Sequence, residues 1–203
     1  MRFRVDGPIS AKSMLSKRQS GFTMIELMVT LLVLVILAMI AAPSFTAMIE
    51  KSRLRGAADD VVNLLGVARA EAVKRQRNVN VALGGSTSAW CVGANRAADP
   101  VVGQPTPGAT SCDCTTPSSC VLENQQSVVT PPANSGVTSD SVTGNIIFNA
   151  QTGALTPVTT APGVVTLTSS SIKFALQITV SPLGQVGACV PSGKTFISGY
   201  PSC

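Results

Sequence analysis

Gly21-Phe22-Thr23-Met24-Ile25-Glu26-Leu27 opens an apolar run that ends at Ala41-Ala42-Pro43, and this stretch decides the fold of the chain. Residues 22–42 contain three polar side chains, those of Thr23, Glu26 and Thr30. A helix that rises about 1.5 Å per residue over this length crosses a hydrocarbon core of about 30 Å. The run therefore predicts a transmembrane helix over residues 22–42.

Two basic residues, Lys17 and Arg18, stand just before the apolar run, and no acidic residue lies between Asp6 and Glu26. Basic residues that flank a membrane span stay on its cytoplasmic side. The amino end is therefore expected in the cytoplasm, and the body of the protein beyond the membrane.

Glu26 is the unusual residue of this segment. An ionised carboxylate inside a bilayer costs several kcal/mol unless it meets a positive partner. A cut between Gly21 and Phe22 would create such a partner, a new α-amine, and the amine of a neighbouring copy could reach the same carboxylate. Neutralising the charge in this way favours assembly of helices side by side.

The motif and the apolar run behind it resemble the class III signal of type IV pilins and pseudopilins. The resemblance implies that a prepilin peptidase cuts after Gly21 and methylates the new amino-terminal Phe22, while Glu26 supplies the assembly charge. Pro43 matches the proline that bends or melts the helix in many members, because proline lacks an N–H and its ring clashes inside a helix. The implied partners are the prepilin peptidase, other minor and major pilins or pseudopilins, and the inner membrane, with the head in the periplasm.

An ordinary signal peptide and a plain signal anchor both fit the segment less well. A signal peptide has a shorter apolar core and a small-residue cleavage site, and the proline after Ala41-Ala42 makes a poor one. A signal anchor accounts for the length of the run but not for Glu26. Residues 1–21 then form the cleaved leader, and Met14 offers an alternative start to Met1 that would leave a short leader.

The formal charge of +5 comes mostly from the leader. Residues 1–21 carry five basic residues and one acidic residue, so the chain after cleavage carries only +1 (5 − 4). Residues 78–203 hold three basic and four acidic residues, a net charge of −1. Phosphate binding needs several basic side chains acting together, so a nucleic-acid partner is not favoured.

Six cysteines lie in the part of the chain that is expected outside the cytoplasm: Cys91, Cys112, Cys114, Cys120, Cys189 and Cys203. An oxidising periplasm favours disulfides, and six cysteines allow fifteen pairings. A bond between Cys189 and Cys203 would close the carboxyl-terminal segment, and Cys91 would then pair within the Cys112 to Cys120 cluster. The chain has no histidine, so a zinc site would need thiolates alone, and no metal or other cofactor is expected.

After Pro43 the apolar residues step by four and three along one side of a helix that continues to about Arg77. This stripe consists of Leu54, Ala58, Val61, Leu65, Ala68 and Ala72. Residues 43–77 are therefore predicted to be the amphipathic half of the helix, packed on a β-rich head of residues 78–203. Basic residues beside the stripe could touch lipid headgroups or nucleic acid, but interleaved acidic residues favour a salt-bridged face or contacts between subunits.

Apolar residues that alternate with other types predict the strands of the head. Residues 79–83 and 90–92 are expected to form a hairpin broken at Gly84-Gly85, followed by a disulfide-pinned surface loop over residues 93–120. Further strands are expected at residues 127–129, 145–148, 164–167 and 172–180, with a final hairpin of residues 187–190 and 195–198. In the 172–180 strand every even residue is large and apolar, so that face should be buried. The predicted class is α+β, the type IV pilin fold of a long amino-terminal helix on an antiparallel sheet head with disulfides.

The order of these elements resembles the GspH/FimT/FimU group of minor pilins and pseudopilins. The resemblance rests on three features of the sequence: Trp90 in the second strand, Ile146-Ile147-Phe148 before a glycine turn, and the closing Pro191-Ser192-Gly193-Lys194 turn. The resemblance implies a minor pilin that primes assembly of a type IV pilus, or alternatively a minor pseudopilin of a type II secretion system. No nucleotide loop, serine elbow or paired acidic residues point to an enzyme.

A third function, DNA binding for natural transformation, is implied by FimT-like members that bind DNA through Gly-Arg-x-Arg on the closing hairpin. This chain has Gly193-Lys194-Thr195-Phe196 at that place, so Lys194 keeps one charge and Phe196 replaces the second arginine. A phenylalanine there is more typical of a core or stacking residue. DNA binding at Lys194 is therefore the weaker expectation.

Overall fold

The structure, a computed structural model, describes residues 21–96, 112–140, 146–156 and 163–203. Residues 1–20 of the predicted leader, with both alternative starts, lie outside these ranges, as do residues 97–111 of the predicted loop. The chain divides into two compact units, Met1–Pro43 and Ser44–Cys203. The first unit contains the apolar run and the second contains the head.

A long helix, α1, spans Met24–Arg75. All six residues of the predicted stripe are 0% exposed, which confirms the stripe as the buried face of the helix. The helix ends at Arg75. The next residue, Gln76, has a left-handed φ of 53°, and the N–H groups of Gln76 and Arg77 donate to the carbonyls of Val73 and Ala72. This cap satisfies two of the last carbonyls of the helix, which ends two residues before the predicted boundary.

Ten strands and a short 3₁₀ helix, Pro117–Ser119, follow α1 in the described ranges. The strands are β1 (Val79–Gly85), β2 (Trp90–Arg96), β3 (Val121–Leu122), β4 (Gln125–Gln126), β5 (Val128–Val129), β6 (Thr138–Ser139), β7 (Ile146–Phe148), β8 (Gly163–Thr168), β9 (Ala175–Val180) and β10 (Val186–Cys189).

These strands form two four-stranded sheets and one small hairpin, all with antiparallel pairing. The first sheet has the order β5-β2-β1-β7, the second has the order β10-β9-β8-β6, and β3 pairs with β4. β1 and β2 form the predicted hairpin, with Val79 opposite Arg96 and Gly85 opposite Trp90. Trp90 Nε1 donates to the Val137 carbonyl at 3.0 Å, which ties the first sheet to the segment before β6.

The core lies where α1 meets the two sheets. One cluster of buried residues contains the stripe of α1 together with Val79 and Val81 of β1, Phe148 of β7, and Leu176 and Ile178 of β9. Burying apolar surface on both sheets against one helix holds the second unit together. The observed class is the α+β fold that the sequence predicts.

The strand predicted over residues 172–180 begins later, at Ala175. Ile172, which was expected on the buried face, is 68% exposed and has a φ of 61°. A tight turn causes the difference, because the N–H of Ile172 donates to the Ser169 carbonyl and the N–H of Phe174 donates to Ser169 Oγ. From Phe174 to Val180 the even residues are buried as predicted.

The predicted final hairpin is wrong. Residues 195–198, within the described range 163–203, form no strand, and β10 pairs with β9. After the turn in which the N–H of Lys194 donates to the Pro191 carbonyl, the chain end returns to form a bridge between Ser202 and Val190. The disulfide from Cys189 to Cys203 fixes this path, so residues 195–198 do not run beside β10.

Candidate assembly site and head surface

The predicted cleavage site lies outside the helix. Gly21, Phe22 and Thr23 all precede the first residue of α1, Met24. A Cβ added at Gly21 would meet no atom within 4 Å, and the Phe22 side chain is 82% exposed. Open, non-helical backbone can enter a protease, so the local geometry suits cleavage after Gly21, which stays a prediction.

Glu26 lies in the first turn of α1. Thr23 caps this turn, because the N–H of Glu26 donates to Thr23 Oγ1 at 3.3 Å and the N–H of Leu27 donates to the Thr23 carbonyl at 3.2 Å. A carboxylate near the positive end of a helix dipole is favourable. Glu26 is exposed in this structure, so its carboxylate is open to a positive group on another chain.

The apolar run presents its side chains outward. Its most apolar window of 18 residues has a mean hydropathy of 2.8 and is 0% buried. By length and composition, α1 is the helix within the described ranges that could cross a membrane. Pro43 lies inside the bounds of α1, so the helix does not melt there, and the predicted bend stays a prediction.

Three arginines of α1 donate to the head rather than to solvent alone. Each reaches a carbonyl on a loop more than 80 residues away along the chain. The contacts are Arg53 Nη1 to Asn134 O (3.0 Å), Arg55 Nη2 to Ser198 O (2.7 Å) and Oγ (3.0 Å), Arg69 Nε to Gly153 O (3.2 Å), and Arg69 Nη2 to Leu183 O (3.3 Å). These side chains therefore dock the helix on the head.

The last turn of α1 forms an ionic cluster with the β3–β4 hairpin. Glu71 is 3% exposed, and its Oε1 lies 3.2 Å from Arg75 Nε. Arg75 Nη2 also lies 3.6 Å from Glu123 Oε1, and Lys74 Nζ donates to the same Glu123 oxygen. The hydrogen bond and the charge of Lys74 hold the pKa of Glu123 below its ordinary value. The predicted salt-bridged face is confirmed for this end of the helix.

All six cysteines are paired. The bonds are Cys91–Cys114, Cys112–Cys120 and Cys189–Cys203. The last is the bond that the sequence predicts, and Cys91 pairs within the expected cluster. The first two bonds lie together as a small buried cluster beside β2, where they hold the described end of the predicted loop, residues 112–120, against the sheet.

Lys194 and Phe196 lie in the segment that follows β10, where the structure excludes a core position for Phe196. Lys194 Nζ donates to the Ile172 carbonyl at 2.9 Å. Phe196 is 64% exposed, so it is not a core residue, and its neighbour Ile197 is the one that is 0% exposed. A single lysine bound to a carbonyl offers little to a phosphate backbone, and DNA binding stays an untested expectation.

No group of three or more histidine, cysteine, aspartate or glutamate residues in the described ranges is placed to hold a metal ion. The disulfides account for the cysteines. Asp113, which lies between two of them, is a turn residue, because Asp113 Oδ1 accepts hydrogen bonds from the N–H and the hydroxyl of Thr115. These bonds lower the pKa of Asp113.

The sequence interpretation missed several residues that the structure makes important. Gly93 lies in β2 against the cysteine cluster, where a Cβ would stand 2.5 Å from Cys120 Sγ. It had a local signal, since a glycine inside a strand often marks a close approach of other atoms. The turn Glu123-Asn124 between β3 and β4 has positive φ at both residues, and its signal in the sequence was the asparagine, a residue type that tolerates this conformation. Arg69 had none, since its partners are distant in sequence.

Two family models match the chain. The model of the type II transport protein GspH matches residues 57–184, and the model of the prokaryotic N-terminal methylation motif matches residues 16–42. The first covers more than half of the chain, and the second covers the predicted cleavage site and the apolar run. A comparison with curated protein sequences finds no significant match.

Similar solved structures include two proteins of bacterial assemblies. The type IV minor pilin FimU of Pseudomonas aeruginosa is 16% identical, with 68% of this chain and 88% of that chain covered and a TM-score of 0.44. The minor pseudopilin EpsH from the type 2 secretion system of Vibrio cholerae is 9% identical, with 68% of this chain and 97% of that chain covered and a TM-score of 0.44.

Proposed function

Since this chain belongs to the GspH family and is a minor pilin or pseudopilin, we propose that it serves as a minor pilin that primes assembly of a type IV pilus. The observation that carries the proposal is the arrangement of the amino-terminal motif. Gly21-Phe22 lies outside the helix, Glu26 lies in the first turn, and an exposed apolar run follows. This arrangement supports processing by prepilin peptidase, N-methylation of Phe22, and anchoring in the inner membrane with the head in the periplasm.

The chemistry of assembly follows from the charge of Glu26. Cleavage after Gly21 leaves an α-amine on Phe22, and this amine on one subunit pairs with the Glu26 carboxylate of its neighbour. Two charges that are each costly in a bilayer neutralise each other, which favours the packed helices over separate subunits. The role is one of assembly with other pilins, and no catalytic activity is proposed.

The proposal is tested by Glu26→Gln, which removes the charge but keeps the shape of the side chain. We expect normal cleavage of the leader but more than about tenfold less incorporation into pili, since a lost ion pair in a bilayer is worth several kcal/mol. Mass spectrometry of the amino terminus and quantification of the subunit in sheared pili measure the two steps.

Thr30→Val is the matched control, because Thr30 is another polar residue of the same run whose hydroxyl donates to the Leu27 carbonyl of its own helix. It should leave both steps unchanged. Normal incorporation of the Glu26→Gln subunit would overturn the assembly role of this carboxylate.

The alternative is a minor pseudopilin of a type II secretion system, which the description of the matching family model favours. The periplasm supports disulfides in either assembly, but a head stapled by three of them suits the exposed end of a pilus, which is why the minor pilin is proposed first. Deletion of the gene separates the two functions. Loss of surface pili with normal secretion supports the minor pilin, and loss of secretion with normal pili supports the pseudopilin.

A further inference from the structure

Ile172 is an exposed apolar residue with a strained backbone in the turn before β9. Its φ of 61° is a left-handed conformation that a β-branched residue rarely adopts, and its side chain is 68% exposed. A glycine or asparagine would suit the same turn with less strain. A strained backbone that holds a large apolar side chain in the open points to a contact outside the chain.

A second exposed apolar side chain belongs to the adjacent segment. The segments that contain Ile172 and Phe196 are joined by two hydrogen bonds, from Lys194 Nζ to the Ile172 carbonyl and from the Thr195 N–H to the Lys173 carbonyl. Phe196 is 64% exposed. The fold therefore brings two large apolar residues to the surface on neighbouring turns.

Lysines accompany these apolar residues. Lys173 and Lys194 belong to the same two turns, and Lys51 Nζ lies 4.9 Å from the centre of the Phe174 ring. The nearby acidic residue, Glu50, accepts a hydrogen bond from the Ser171 hydroxyl. We call the surface formed by Lys51, Ile172, Lys173, Lys194 and Phe196 the basal patch.

The basal patch is joined to α1 close to the apolar run. Its turn contacts α1 at residues 50 and 51, whereas the contacts of Arg69 and Lys74 lie 18 and 23 residues further along the helix. Lys51 follows Ala42, the end of the apolar run, by nine residues, a segment that spans at most about 30 Å when fully extended. The covalent link therefore keeps this end of the head within reach of a bilayer surface.

We propose that the basal patch rests on the anionic headgroups of the bilayer that anchors the chain, with Ile172 and Phe196 inserted at the interface. Apolar side chains that enter the headgroup boundary beside lysine charges are the combination that binds proteins to membrane surfaces. Lys173 is the main headgroup contact here, because Lys194 Nζ already donates to the Ile172 carbonyl. The contact would hold the head of an unassembled subunit in one orientation until the filament takes it up. This inference rests on the proposed membrane anchoring of residues 22–42.

Two other occupants fit the basal patch less well. Double-stranded DNA would use the lysines but would leave the two exposed apolar side chains without a partner, and residues 78–203 carry a net charge of −1. A second copy of the chain would use the apolar side chains but would place like-charged lysines against each other if the same patch met itself. An anionic bilayer offers negative headgroups to the lysines and an apolar interior to the two exposed apolar side chains.

The test places a tryptophan reporter in the full chain, reconstituted into lipid nanodiscs that contain brominated lipid, which quenches nearby tryptophan fluorescence. Phe196→Trp reports on the basal patch. Leu183→Trp is the matched control, because Leu183 is 69% exposed but lies at the loop that binds Arg69, 18 residues further along α1 than Lys51. The natural Trp90 is 2% exposed and adds the same background to both proteins.

We expect brominated lipid to quench the Phe196→Trp reporter at least about twofold more than the Leu183→Trp reporter in discs rich in anionic lipid. The excess should fall in zwitterionic discs and in high salt, and Lys173→Gln should reduce it, since screening and loss of charge weaken headgroup contacts. Ile172→Gly, which relieves the left-handed strain and should leave the head folded, should also reduce it.

Equal quenching of the two reporters would overturn the proposal. A Phe196→Trp emission that shifts to the blue as the protein-to-lipid ratio rises, without excess quenching by brominated lipid, would assign the patch to a second copy. A Phe196→Trp signal that responds to added double-stranded DNA but not to brominated lipid would assign it to DNA. Both results reject the membrane contact. A chain that fails to enter the discs contradicts the anchoring itself, whereas a chain that enters them and shows equal quenching contradicts the patch alone.

Discussion

Gly93 must be a glycine because atoms from distant parts of the sequence pack against it. It lies in β2 beside two disulfides, where a Cβ would stand 2.5 Å from Cys120 Sγ and 2.9 Å from Cys114 Cβ. Atoms of this size cannot approach so closely, so only glycine lets the loop cysteines pack against the strand.

Gly93→Ala is therefore expected to lower the free energy of unfolding by about 1–3 kcal/mol, the usual range for overpacking in a close-packed site. Denaturant unfolding of the full chain in detergent checks the value. Gly56→Ala is the matched control, because Gly56 lies in α1 and its added Cβ meets no atom within 4 Å. That change should raise stability by up to about 1 kcal/mol through helix propensity. Equal effects of the two substitutions would contradict the packing argument.

The second half of α1 is the element on which the head is built. Its stripe is buried against both sheets. Residues on the other faces of the helix are exposed or, like Arg69, donate to loop carbonyls of the head. Gly56 and Gly66 weaken the helix on its own. Packing of the stripe therefore contributes more to the stability of this element than the intrinsic helix propensity of its residues does.

Leu65→Ala should cost about 2–5 kcal/mol of unfolding free energy, because Leu65 is 0% exposed in the core cluster and its removal leaves a cavity. Val67→Ala, two residues away and 54% exposed, should change stability by less than about 0.5 kcal/mol. Thermal and denaturant unfolding of the two variants measure the change in unfolding free energy that each causes. Similar losses for both would mean that the stripe is not the buried face.

The ionic cluster at the end of α1 predicts a pH dependence for the β3–β4 hairpin. Lys74 lowers the pKa of Glu123 from an ordinary value of 4.5, so the ionised Glu123 stabilises the folded state above that pH. The contribution is lost as the pH falls through the lower pKa of the folded state. Amide hydrogen exchange in the hairpin should therefore be faster in Glu123→Gln than in the unchanged protein at neutral pH, and the difference should close well below pH 4.5. A difference that persists in acid would reject the ion pair as its cause.

At the scale of the whole molecule, the end of the chain is fastened to β10. The Cys189–Cys203 bond closes a loop with a sequence separation of 14, and Ser202 bridges Val190 beside it. Tyr200, in the same loop, donates to Asp59 Oδ1 of α1 at 3.1 Å. Burial and this contact with a carboxylate raise the pKa of Tyr200. The closing loop thus links the second sheet to the helix.

Replacing both cysteines, Cys189→Ala with Cys203→Ala, should lower the unfolding free energy by about 3 kcal/mol, since a bond over a loop of this length restricts the unfolded chain by that much. Denaturant unfolding under oxidising conditions measures the loss. Adding a reductant should reduce the stability of the unchanged protein at least as far. If the double variant matches the unchanged protein, the loop is held by its other contacts alone.

The sequence by itself determined the features whose signals are local. The membrane-length run and the buried stripe of α1 follow from residues within a few turns of one another, and the β1–β2 hairpin follows from alternation within about twenty residues. Of the candidate site, the motif around Gly21 and Glu26 could be identified by its resemblance to the class III signal, because that signal lies within one short segment. Cleavage after Gly21 and the assembly charge of Glu26 stay predictions.

The tertiary structure alone decided where distant segments meet. Arg69 and Gly153 are 84 residues apart, and Arg53 and Asn134 are 81 apart, so no local pattern marks either contact. The exposure of Ile172 depends on a turn closed by Ser169, and the path of residues 195–198 depends on a disulfide that draws the chain end toward β10. Periodicity predicts which face of an element is apolar, but the hydrogen bonds and covalent bonds between elements decide where each element begins, ends and turns.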